Sequence, residues 1–168
     1  MENAIPSLVI GALILAAIGI LGRGSLRAYD EMGLSLREME TRIVEKAGTQ
    51  LVVTQTTVDP SGAFVTVSLR NEGQTRIGDF EALDVILTYY SAPASQVNVW
   101  LPYSASGPAA NAWTLLSIAA DGYEPGILNP GETANLRLDV SPAIAAGQTN
   151  SVVIATELGS TVEAAFSS

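Results

Sequence analysis

Apolar and polar positions follow two different rhythms along this chain. From Ala4 to Gly22 the run AIPSLVIGALILAAIGILG carries no charged side chain. That length is close to the roughly 20 residues a helix needs to cross about 30 Å of hydrocarbon. Leu26, Tyr29, Met32, Leu36, Met39 and Ile43 then recur at spacings of 3, 3, 4, 3 and 4, which sets one apolar seam along an amphipathic helix. Glu38 stands four residues before Arg42, and Arg27 four before Glu31, the separation at which opposite charges meet on a helical surface. No proline lies between Pro6 and Pro60, and Pro6 sits where a helix tolerates a missing N–H. The pattern predicts one helix from about Ser7 to Ala47, stopped by Gly48. At 1.5 Å per residue it would be on the order of 60 Å long.

After Gly48 the period changes to two. Thr49–Val58, Ala63–Arg70, Asp84–Ser91, Gln96–Leu101, Trp113–Ala119, Thr133–Val140 and Ser151–Glu157 are short and rich in Val, Ile, Leu, Thr or aromatic residues. Turn chemistry separates most of them, as in Asp59-Pro60-Ser61-Gly62, Asn71-Glu72-Gly73, Asp121-Gly122 and Asn129-Pro130-Gly131. Seven or so strands with no helix among them predict an antiparallel, immunoglobulin-like β-sandwich. The fold class expected is α+β: an N-terminal assembly or transmembrane helix over residues 1–48 and a β-sandwich surface domain over 49–168. Between the fourth and fifth strands, Tyr103 to Ala112 (YSASGPAANA) is small, polar and long for a hairpin, and is expected as a solvent-facing loop, with a contact loop ordered by a neighbour as the alternative.

Composition sharpens this division. The chain has 168 residues, 48% hydrophobic and 15% charged, with a net charge of −9, a balance that excludes a disordered chain. Residues 1–49 are near neutral, whereas the remainder holds only Arg70, Arg76 and Arg137 against most of the acidic side chains. Such a surface is unsuited to phosphate, so nucleic acid is not an expected partner. Gly11, Ala12, Ala16, Ala17, Gly19 and Gly22 would let neighbouring helices approach closely. Arg23 and Arg27 follow the apolar run, on the flank that the positive-inside rule assigns to the cytoplasm, with Asp30 and Glu31 just beyond.

The chain has neither Cys nor His. Thiol nucleophiles, Cys/His zinc sites, Ser-His-Asp triads and disulfides are thereby removed. No phosphate-cradling glycine loop and no Gly-x-Ser-x-Gly elbow occurs. The remaining candidates are carboxylates. Asp79, Glu81 and Asp84 surround Phe80 and could offer oxygen ligands to a hard cation, but without the Asp-x-Asp-x-Asp-Gly pattern of a calcium loop. Asp121 with Glu124 is a weaker pair. No catalytic residue, cofactor or metal ligand set is expected, and exposed acidic side chains are the plainer reading of both groups.

An uncharged N-terminal helix running into an amphipathic one, followed by a β-sandwich, resembles the archaeal type IV pilin-like superfamily, in particular archaellins and the related archaellum stator proteins. Three stretches carry the likeness: Ile5 to Leu21; VTVSLRNEGQTRIGDFEALDVILTY, residues 65–89; and ILNPGETANLRLDV, residues 127–140. The family has a short basic leader removed by a prepilin peptidase, whereas Glu2 is the only charge before the apolar run here. A processed chain, or one that escapes processing, is expected.

The resemblance implies a structural subunit of an extracellular motility filament, a homopolymer that is membrane-inserted before assembly and is driven by separate ATPase machinery. The assembly interface expected comprises Ile5, Leu8, Val9, Leu13, Ile14, Ala17, Ile20, Leu21, Leu26, Tyr29, Leu36, Met39 and Ile43. Two alternatives remain: a membrane-anchored, stator-like protein binding the cell envelope through its sandwich, and an anchored binding domain or enzyme using Asp79, Glu81 and Asp84.

Overall fold

The computed structural model describes Val9, Ala12, Leu13, Leu15, residues 32–92 and residues 95–168. The chain divides into two units, Met1–Ile43 and Val44–Ser168. Val9, Ala12, Leu13 and Leu15 are helical, and helix α1 covers residues 32–48. It ends at Gly48, the expected stop; apart from those four residues, the remainder of the helix predicted from Ser7 lies outside the described residues. Among the described residues no helix is long and apolar enough to cross a membrane.

In the second unit eight strands follow: β1 (Leu51–Val58), β2 (Phe64–Asn71), β3 (Asp84–Ser91), β4 (Ser95–Leu101), β5 (Ala112–Ala119), β6 (Thr133–Asp139), β7 (Thr149–Ala155) and β8 (Thr161–Ser167). They form two sheets, ordered β1-β2-β6-β5 and β4-β3-β7-β8, with every pairing antiparallel. β2, β3, β6 and β7 present alternate residues to the core, as the period of two requires. Val65, Val67 and Leu69 of β2 are buried against Val85, Leu87 and Tyr89 of β3, with Leu136, Leu138, Val152, Ile154 and Trp113 completing the centre. Fully burying one such aliphatic side chain contributes about 1.5–3 kcal/mol. Two bulges bend the outer strands of the first sheet, one between Val53 and Gln55 and one between Leu115 and Ser117.

The architecture is the sandwich the alternation predicts, with two differences. β8 was not among the expected strands. Its inward positions are Val162, Ala164 and Phe166, and alanine contributes little to a strand signature. It exists because β7 pairs with it along its whole length. The last expected strand, Ser151–Glu157, is shifted: β7 starts at Thr149 and ends at Ala155, and Thr156 turns the chain by bonding Ser160. The Tyr103–Ala112 segment faces solvent from Pro108 to Asn111, as expected. Its ends are fixed, since Tyr103 packs on buried Trp113 with ring centroids 4.7 Å apart, and Ala112 is the buried first residue of β5.

Candidate functional site

Four residues of the seam that the spacing draws lie on one face of α1. Met32, Leu36, Met39 and Ile43 are 60 to 64% exposed, although each is a large apolar side chain on a single helical face. Burying four such side chains would release on the order of 6–12 kcal/mol per helix. Val9 and Leu13, also expected at the interface, are exposed as well. Ile5, Leu8, Ile14, Ala17, Ile20, Leu21, Leu26 and Tyr29 lie outside the described residues. Glu38 and Arg42 form no ion pair; the two ion pairs among the described residues are Arg76–Glu124 and Arg137–Asp139. Exposed helical pairs gain too little to hold two long side chains in one geometry.

Below the seam, the carbonyls at the end of α1 find partners within the second unit. The Thr49 and Thr75 hydroxyls donate to Glu45 O at 2.7 and 3.0 Å. The Thr49 amide donates to Lys46 O at 3.1 Å, and the Gln74 and Thr75 amides donate to Gly48 O at 2.7 and 3.2 Å. Helix ends leave such carbonyls unsatisfied, and here Thr49 and the loop after β2 supply the donors. Gly73 makes that approach possible: a Cβ there would strike the Gly48 carbonyl oxygen and lie 2.5 Å from the Gln50 amide nitrogen.

Asn71 organises this loop. Read from the sequence it is the first residue of a turn; in the structure it is fully buried at the end of β2. Its amide nitrogen donates to Thr75 O at 2.8 Å and Leu128 O at 3.1 Å, and its Oδ1 accepts from the Gly73 amide at 3.0 Å. A similar arrangement closes the Asn129-Pro130-Gly131-Glu132 turn, where buried Glu132 accepts from the Asn129 amide at 2.8 Å and Gly131 takes φ of +86°. An asparagine at an inward-facing position at the end of an alternating strand, two residues before a glycine, is the signal that marks such a hub.

Of the three carboxylates suggested as cation ligands, Asp79 and Asp84 have separate partners. Asp79 accepts the Glu81 amide at 3.1 Å, whereas Asp84 accepts the Trp100 indole N–H at 2.9 Å. Asp121 caps the Gly126 amide. Glu124 holds Arg76 at 2.6 Å, a hydrogen bond and charge that raise the guanidinium pKa above its ordinary value. Among the described residues no group of three acidic side chains is placed to hold a metal ion. Asp139 likewise raises the pKa of Arg137 through hydrogen bonds, and Arg137 lies over the Phe64 ring at 3.8 Å.

No family model matches the chain, and no curated protein sequence does. Solved structures do. The archaellum periplasmic stator protein FlaG from Sulfolobus acidocaldarius aligns with a TM-score of 0.51 and 25% identity, over 70% of this chain and 99% of that one. The FlaF–FlaG stator complex of the same organism aligns with a TM-score of 0.51 and 24% identity, over 70% and 89%. The archaeal flagellum of Methanospirillum hungatei strain JF1 aligns with a TM-score of 0.65 and 14% identity, over 99% and 93%. The fold is that of archaellum proteins. The likeness expected from residues 65–89 and 127–140 therefore has a structural counterpart. Those two stretches hold the Asn71 hub and the Glu132-closed turn of this archaellum-type sandwich.

Proposed function

We propose that this chain is a component of an archaellum, acting at the cell envelope or outside the cell, and specifically that it is a filament subunit polymerising through its N-terminal helix. The observation that carries the proposal is the exposed seam of Met32, Leu36, Met39 and Ile43. A surface of that kind is stable in water only when other apolar surface covers it, and identical helices present the same seam. The alignment with the Methanospirillum filament, which extends over 99% of the chain, supports the same reading. In it the chain works by contact and carries out no chemistry.

A stator-like role is the second reading, favoured by the 25% identity with FlaG over 99% of that protein. The two separate by where the full chain is found. A filament subunit yields abundant filaments in the sheared extracellular fraction by electron microscopy; an anchored protein stays with the membrane. Leu13→Asp and Met39→Asp place a charge on the exposed apolar face. Each is expected to abolish filaments while leaving the melting of the sandwich unchanged. Filaments at wild-type abundance from either variant would overturn the role of the seam.

A further inference from the structure

The two outer faces of the sandwich differ in character. On the β4-β3-β7-β8 sheet the strand register aligns Trp100, Ile86, Val153 and Glu163 in one row across all four strands. Trp100 is 55% exposed and Ile86 is 39% exposed. The indole is held in place by its hydrogen bond to Asp84, so little side-chain freedom remains to be lost on contact. Fixed, exposed tryptophan with aliphatic neighbours and an acidic border is the composition of an interface anchor. On the opposite sheet the register aligns Val52, Arg70, Thr133 and Ala119. Among the described residues, Arg70 is the one arginine of the sandwich outside an ion pair, and it is exposed.

We propose that these two faces meet between successive copies of the chain, the Trp100 row of one sandwich against the Arg70 row of the next, with Arg70 opposite Glu163. This deepens the filament reading and rests on it. The charges are complementary at one point, the exposed Arg70, unpaired among the described residues, on one face and the exposed Glu163 on the other. Because unlike faces meet, the contact is heterologous and repeats as an open polymer instead of closing into a dimer. Its size also favours another copy over an independent partner. Four strands of this length make a face of about 450 Å², so the contact buries about 900 Å² in total, below the roughly 1,200 Å² of a complex stable by itself. Such a contact holds where helices already keep the sandwiches close together.

The absence of cysteine makes the test direct. The full chain carrying Arg70→Cys and Glu163→Cys together, treated with a short bis-maleimide, is expected to give a ladder of cross-linked oligomers on a denaturing gel. Neither single variant should cross-link, and adding Trp100→Glu should reduce the ladder at least tenfold without changing the melting temperature. Filaments without a ladder would overturn the face-to-face contact and leave the filament reading standing. A ladder without filaments would do the reverse, and cross-linked dimers from a single variant would show that like faces meet, which overturns the proposal.

Discussion

Replacing Asn71 with alanine tests whether the loop that bonds the end of α1 is held by one buried side chain. The substitution removes three hydrogen bonds, to Thr75 O, Leu128 O and the Gly73 amide, each worth about 0.5–1.5 kcal/mol net. Leu128 O keeps its bond from the Ile77 amide, and the Gly73 amide keeps its bond to Gln50 O, so two of the three partners are not orphaned. Thr75 O loses its donor. The expected loss is about 3 kcal/mol, equivalent to a fall of roughly 10 °C in melting temperature for a unit of this size. Asn71→Asp keeps the shape but turns a donor into an oxygen facing two carbonyl oxygens, and should cost at least as much at neutral pH. Guanidinium unfolding can be followed by the fluorescence of Trp113, which is fully buried, with unchanged denaturant slopes showing that only stability has moved. An alanine variant within about 1 kcal/mol of wild type, or an aspartate variant equal to wild type, would refute the reasoning.

Two further outcomes follow from the geometry. Gly73→Ala brings a methyl group against the Gly48 and Gln50 backbone, which no side-chain rotation relieves. A loss of about 1–3 kcal/mol in the same unfolding experiment is expected; a variant as stable as wild type would show that the approach of the two segments is looser. Burial raises the pKa of the Tyr89 phenol above its ordinary value near 10, and the hydroxyl donates to Pro142 O at 3.0 Å. The unfolded chain therefore releases this proton first, so the contribution is complete below pH 10 and declines as pH rises through and beyond that value. Tyr89→Phe should lose about 1 kcal/mol at neutral pH and lack this decline, so that stability curves of the two proteins converge in alkali. Parallel curves would contradict it.

Much of the architecture is legible in local patterns because those patterns are themselves local. A period of two sets which residues of β2, β3 and β6 face inward before any partner strand is known. Spacings of three and four residues set the seam from Met32 to Ile43, and Gly48 marks the end of α1. β8 escapes this reading because Ala164 and Ala165 blur the contrast between its faces, and β7 supplies what its own residues do not.

The candidate site divides in the same way. The seam comes from residues close together in the chain, so the sequence alone determined it, along with the concentration of acidic charge after residue 48 and the lack of any Cys or His chemistry. It took the packed fold to show that Asn71 reaches Leu128, that Asp84 accepts the Trp100 indole N–H, and that Trp100, Ile86, Val153 and Glu163 stand in one row. Each of these joins residues from different strands. Strand order and register, which arise when separate segments share one core, bring them together, and no spacing within a single segment encodes that.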